Sequence, residues 1–150
     1  MSCTENMDQS LKLYVVLSKA YRAIHDHVSK HIQSYGLNPT EFAVLELLYH
    51  KGHQPLQQIG GKILLASGSI TYVVDKLEKK ELLERKACPN DRRVTHAAIT
   101  EKGIQLMEEM FPKHKQYIDD ALCILSDEEK TAVIEMLKKL GLYVKNMDRS

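Results

Sequence analysis

The sequence predicts a mainly α fold with one small β-wing. Three observations carry that reading. Apolar residues recur at helical spacing in several separate stretches, and two strand-length runs, 82–87 and 94–99, flank a turn-rich connector. The first and last helical stretches also carry apolar stripes that a chain of 150 residues has little means of covering by itself.

From residue 8 to about 34 one stripe runs Leu13, Leu17, Ala20 and Ile24, and a second runs Tyr14, Tyr21 and Val28. Two stripes on one helix imply two packing partners, the chain's own body for one and a second subunit for the other. Asn38-Pro39-Thr40 is a turn and cap signal, so a second helix spans about 40–50 with Phe42, Leu45, Leu48 and Tyr49 inward. Leu56, Ile59 and Ile63 repeat the spacing over a shorter helix, and 64–66 is short enough for the turn of a helix-turn-helix. Ser67 then offers an N-cap for a helix whose Ile70, Val73, Val74 and Leu77 must face a core. Ser69, Tyr72, Asp75, Lys76 and Lys79 are left facing outward.

The connector 88–93 contains Pro89, Asn90 and Asp91 and ends in Arg92 and Arg93, which makes 82–99 a hairpin with a basic tip. Thr100 caps a long helix carrying Ile104, Met107, Phe111, Ile118 and Leu122. Pro112 inside it removes one backbone donor and predicts a kink or break. Ser126-Asp127-Glu128-Glu129 is a capping box that opens a last helix through Val133, Ile134, Leu137, Leu140 and Val144.

Two short crossing helices followed by an arginine-tipped hairpin suit double-stranded DNA. Short hydroxyls near a helix N-terminus reach base edges, a tyrosine reaches a thymine methyl or a phosphate, and lysines further along suit phosphates. A hairpin arginine is narrow enough for a minor groove. The candidate contacts are Gln57, Ser67, Ser69, Thr71, Tyr72, Lys76, Arg92 and Arg93. Each feature alone is as well read as an ordinary solvated surface. It is their unbroken succession that is hard to obtain by accident.

These residues also carry a resemblance. Asp91-Arg92-Arg93, then Ile99-Thr100-Glu101-Lys102-Gly103, resembles the D-x-R…L-T-x-x-G wing signature of the MarR family of winged-helix regulators, and the likeness extends over about residues 8–144. It implies that Arg93 enters the minor groove and that Asp91 helps to hold the wing. It also implies a winged helix-turn-helix region at 36–100 between dimerisation helices at 8–35 and 101–147. An intertwined homodimer would cover the terminal apolar stripes, and its two-fold axis calls for a palindromic operator with half-sites roughly 34 Å apart. The blocks 36–45 and 64–76 resemble most closely a methylhydroquinone-responsive branch of the family. That implies a repressor released by a phenolic, aromatic or quinone-type effector, with Tyr21, His25, Phe42 and Glu46 as candidate pocket residues.

Two departures stand out. The family usually ends this helix with glycine, and Glu81 stands there, so either a side-chain-bearing residue adopts a left-handed cap at some cost or the helix end is built differently. Where peroxide-sensing members carry a reactive cysteine near the start of the first helix, this chain has Lys12, which excludes one-cysteine peroxide sensing at that position.

The net charge of +1 is modest for a nucleic-acid binder, but it is unevenly spread. From Lys62 to Arg93 eight basic residues face five acidic ones, and from Gly103 to Glu135 eight acidic residues face three lysines. Opposite fields suit a DNA face at one end and an assembly region at the other. Without a membrane-length apolar run or a signal pattern at the N-terminus, a cytoplasmic location is expected. Three cysteines without framework spacing agree with a reducing compartment.

Other classes read less well. Cys123, between Leu122 and Ile124, is expected to be a buried inert thiol, and Cys88 has no general base beside it in sequence, so catalysis is improbable and no cofactor is called for. A metal-responsive repressor would build on His27 and His31, spaced i, i+4, but no second cluster in sequence completes four ligands. A thiol-based electrophile sensor would use Cys88, where Arg85, Lys86, Arg92 and Arg93 favour a thiolate.

Overall fold

The computed structural model describes residues 7–63 and 70–149. The expected turn at 64–66, the Ser67 cap, Ser69 and Cys3 lie outside the described residues. In chain order the elements are α1 (Met7–Gln33), α2 (Pro39–Lys51), β1 (Gln54–Pro55), α3 (Leu56–Lys62), α4 (Ile70–Lys79), β2 (Leu83–Ala87), β3 (Thr95–Ile99), α5 (Glu101–Leu122) and α6 (Asp127–Met147). The chain divides into two compact units, one reaching Tyr117 and the other starting at Ile118.

Local chemistry fixes the helix starts. Asn38 Oδ1 accepts from the Glu41 N–H at 2.8 Å while Glu41 Oε1 accepts from the Asn38 N–H at 3.1 Å, a reciprocal box with Pro39 in the first turn. Ser126 and Glu129 repeat the box at α6, with bonds of 3.2 and 3.0 Å. At α5 the Thr100 hydroxyl accepts from the Gly103 N–H at 3.1 Å.

The core of the first unit gathers Val44, Leu45 and Leu48 from α2, Ile59 from α3, and Val73, Val74 and Leu77 from α4. Leu83 and Ala97 join them from the sheet, and Met107 and Met110 from α5. Phe42, Leu45 and Leu48 face inward as the periodicity requires, whereas Tyr49 is only half-buried. The sheet has three strands in the order β1-β3-β2, all antiparallel, with Leu83 opposite Ile99 and Ala87 opposite Thr95. Strand β1 was not foreseen. It is two residues long and ends in a proline, too short for any alternation to show, and it exists only because Gln54 and Pro55 pair with Ala97 and His96.

Gly103 explains the glycine of the wing signature. A Cβ there would run into the Leu82 carbonyl and come within 2.6 Å of Ile99 Cγ1, so only glycine lets α5 close against the end of α4 and the sheet.

Three expectations need correction. Of the kink or break expected at Pro112, the break does not occur: α5 is helical throughout, the proline is exposed and forfeits one bond, and Met107, Met110 and His114 around it are buried and hold the helix in place. Neither stripe of α1 lies on the chain's own body as one was expected to: Leu13, Ala20 and Ile24 of the first and Tyr14 and Tyr21 of the second are exposed, and only Val28 packs against the core. Cys123 is exposed, because it falls in the turn that ends α5 instead of within its packed length.

In the second unit Lys130 reaches Asp119 at 3.5 Å, but α6 buries no residue. Val133, Ile134, Leu137, Leu140 and Val144 are all at least 37% exposed. Met7, Leu11, Leu13, Val16 and Tyr21 leave a similar face on α1 in the first unit. Among the described residues no helix is long and apolar enough to cross a membrane.

Two predictions follow from this packing. Replacing Gly103 by Ala should destabilise the protein by at least about 1–3 kcal/mol, read by chemical denaturation, because the backbone of Leu82 has to move. The second concerns His114, only 7% exposed, with its Nδ1 unpartnered and its ring 4.5 Å from Phe42. Burial, and secondarily His31 nearby, pushes its pKa below the ordinary 6.5. A histidine held neutral in the fold but protonated when unfolded gives stability that is present above about pH 6.5 and lost as pH falls below it. The melting temperature should therefore drop as pH falls below about 6.5, and drop less in His114→Gln.

Candidate nucleic-acid interface

Helix α4 buries Val73, Val74 and Leu77 and turns Thr71, Tyr72, Asp75, Glu78 and Lys79 to solvent. Lys76 lies one turn beyond Tyr72, with its Nζ 4.7 Å from the ring centroid, and the tyrosine hydroxyl pushes the lysine pKa upward. An aromatic edge and a cation are thus presented as a pair. Gln57 stands exposed in the first turn of α3.

The end of α4 is tightly built. Glu81 has φ 62°, its N–H donates to the Glu78 carbonyl at 2.9 Å, and the Leu82 N–H donates to the Leu77 carbonyl at 3.0 Å. This is a Schellman cap with glutamate where glycine is usual. Its left-handed backbone costs about 1 kcal/mol relative to glycine, offset by the Thr100 hydroxyl, which donates to the Glu81 carbonyl at 2.6 Å. Lys80 completes the seat by donating to the Gly36 carbonyl at 2.8 Å and to Glu41 Oε2 at 2.7 Å. Glu41 is 3% exposed, so this ion pair ties the end of α4 to the start of α2.

Beyond the cap, β2 and β3 form the wing. The Cys88 N–H donates to the Val94 carbonyl at 2.9 Å, and the Val94 N–H to the Asp91 carbonyl at 3.0 Å. Asp91 Oδ1 accepts both the Arg93 N–H at 3.0 Å and the Arg93 Nε–H at 3.1 Å, and these bonds hold its carboxyl below the usual range. The Arg93 side chain is nevertheless 91% exposed: its base is steered and its head is open. Arg92 is exposed beside it.

A cleft of about 260 Å³ is lined by Gln57, Thr71 and Arg93 together with Pro55, Leu56, Ile70, Val94 and Thr95. It brings three of the sequence-derived DNA candidates, from α3, α4 and the wing, to one place. The sequence places Arg85 only as a basic neighbour of Cys88, but its guanidinium spans Asp75 at 2.5 Å and Glu78 at 2.8 Å. The only signal for it was the alternation of charge along α4 and β2.

The effector candidates separate into two groups. Tyr21 stacks on His25 at 5.6 Å on the exposed surface of α1, whereas Phe42 is a core residue packed on His114. Glu46 on α2 is half-buried, and loss of solvent pushes its carboxyl pKa up, opposed by His50. His27 and His31 both stack on Tyr117, at 4.2 and 4.9 Å. Among the described residues no three His, Cys, Asp or Glu side chains are grouped to hold a metal ion. Cys88 is half-buried at the base of the hairpin tip. Of its basic neighbours, Arg85 is bound to Asp75 and Glu78, Lys86 to Glu84 at 3.1 Å and Arg93 to Asp91.

A model of the MarR family matches residues 37–95. The HTH-type transcriptional regulator MhqR of Bacillus subtilis (strain 168) is 68% identical over 138 residues, which cover 92% of this chain and 95% of that one. Among solved structures, Sco3205, a MarR family transcriptional regulator from Streptomyces coelicolor in complex with DNA, matches with a TM-score of 0.82 at 18% identity, over 90% of this chain and 87% of that one. The organohalide-sensing RdhR regulator in its 2,4-dichlorophenol bound form matches with a TM-score of 0.80 at 18% identity, over 95% and 85%. All three are named as transcriptional regulators.

If Arg93 inserts into a minor groove, Arg93→Ala should weaken duplex binding strongly, flatten the logarithmic salt dependence by about one phosphate contact, and leave the melting temperature unchanged. Anisotropy titrations at several salt concentrations measure this. Equal affinity with an equal slope would remove the wing from the interface.

Proposed function

Because this chain belongs to the MarR family of DNA-binding transcription regulators, we propose that it is a homodimeric repressor released from a palindromic operator by a small phenolic or quinone-type effector. The observation that carries the DNA-facing part is the cleft where Gln57, Thr71 and Arg93 converge beside Tyr72 and Lys76. Helix side chains supply base and phosphate contacts there, and the wing supplies an arginine for the adjoining minor groove. Ser67, Ser69 and Arg92 belong to the same proposed surface, with Asp91 holding the wing.

Support for the dimer comes from the uncovered faces of α1 and α6. Burying a large apolar side chain yields about 1.5–3 kcal/mol, and Leu13, Leu17, Leu137, Leu140 and Val144 supply several. Residues 8–35 and 101–147 are accordingly assigned to dimerisation and 36–100 to DNA binding. A two-fold assembly reads two half-sites in opposite orientation, hence the palindrome.

For the effector we favour a pocket drawing on Tyr21, His25, Phe42 and Glu46. The stacked Tyr21–His25 pair offers an aromatic wall, and the Glu46 carboxyl, whose pKa burial pushes up against the opposing His50, is a polar partner for a phenolic hydroxyl. The 2,4-dichlorophenol bound by the RdhR regulator is a ligand of this chemical type. Such a ligand releases DNA by binding better to a dimer whose recognition helices are wrongly spaced for the operator. The second reading is covalent, an electrophile adding to Cys88 in the wing. A metal-responsive mechanism through His27 and His31 has less to support it, since both rings already stack on Tyr117.

Leu137→Glu should abolish dimerisation and operator binding together, seen by sedimentation and gel shift; a stable wild-type monomer at micromolar concentration would overturn the assembly. The switch is tested with Cys3, Cys88 and Cys123 all changed to Ser. A variant that binds operator and is still released by methylhydroquinone supports the pocket. One that binds but no longer responds replaces the pocket with thiol modification.

A further inference from the structure

The solvent-facing side of α4 carries two carboxylates, Asp75 and Glu78, interleaved with Lys76 and Lys79. A carboxylate on a helix that approaches phosphates opposes binding, and four alternating charges leave the helix with no net attraction of its own. Arg85, in the neighbouring strand β2, changes that balance. Its two terminal nitrogens donate to different acids, Nη2 to Asp75 Oδ1 at 2.5 Å and Nη1 to Glu78 Oε1 at 2.8 Å. The backbone N–H of Arg85 also donates to Glu78 Oε2 at 3.1 Å, so Glu78 holds both the main chain and the side chain of one wing residue. The Arg85 side chain is 27% exposed, less than either acid. A planar guanidinium fork can span two carboxylates in this way, which a lysine cannot do with comparable geometry.

We propose that Arg85 is a positioning and specificity-determining residue for DNA binding that does not itself touch DNA. It withdraws Asp75 and Glu78 from the phosphates and fixes the wing strand to the recognition helix, so that the two enter adjacent grooves at a set angle. The two acids in turn occupy Arg85 and keep it from binding any phosphate it meets. The clamp thus trims sequence-independent attraction while preserving the shape that reads a specific site.

The test compares wild type, Arg85→Ala, Asp75→Asn/Glu78→Gln and the triple variant. Each is titrated against a duplex selected by the wild-type protein from a random library, and against random duplex, at several salt concentrations. Arg85→Ala should bind the selected duplex about tenfold or more weakly with an unchanged salt slope, the size expected for a coupled charge network. The triple variant should recover part of that loss, because the exposed acids are gone. Asp75→Asn/Glu78→Gln should bind random duplex more tightly, with a steeper slope and a smaller ratio of selected to random affinity, because Arg85 is freed. An Arg85→Ala protein with wild-type affinity, or with a slope shallower by about one, overturns the proposal, the latter by showing a direct phosphate contact. So does a triple variant no tighter than Arg85→Ala. If Arg85→Ala does not fold, the doubly neutralised variant decides alone, and an unchanged selected-to-random ratio rejects the clamp.

Discussion

The close approach of Gly103 to the carbonyl of Leu82 is the constraint on which the rest of the DNA-facing unit depends. With no Cβ at that position, α5 starts directly on the chain that leaves α4, and Thr100 can bond backward to Glu81 and forward to the Gly103 N–H. The Schellman cap, the left-handed Glu81 and the Lys80–Glu41 pair all converge there. Each exposed hydrogen bond is modest alone, contributing about 1 kcal/mol or less, while the buried Glu41 depends on Lys80 and its cap bonds to stay paired. Their value is geometric: together they fix where the recognition helix ends and where the wing begins.

From that junction the charges divide into two kinds. Some are spent internally: Arg85 on Asp75 and Glu78, Lys80 on Glu41 and a backbone carbonyl. Others remain open to a partner, above all Arg93, whose aspartate steers its root and leaves its head in water. A count of basic residues between Lys62 and Arg93 cannot separate the two kinds, which is why a net charge of +1 is compatible with a DNA-binding surface.

The terminal helices tell a complementary story. In α1 and α6 apolar side chains sit at helical spacing yet stay largely exposed in the single chain. An apolar surface of this extent favours association. The fold of one chain therefore leaves part of its hydrophobic free energy unrealised.

Local rules in the sequence determined the helix caps at Asn38 and Ser126, the inward face of α4 and the hairpin around 88–93, because each depends on residues within a few positions of one another. The family signature was legible for the same reason, as a short run from Asp91 to Gly103. What only the tertiary structure decided needed partners far apart in the chain. Strand β1 forms because β3 is beside it, and α5 continues through Pro112 because its neighbours are buried. Arg85 likewise becomes a clamp only when β2 folds back along α4. Spacing along a helix reports which side chains share a face; what that face meets is set by packing, and packing is a property of the whole chain.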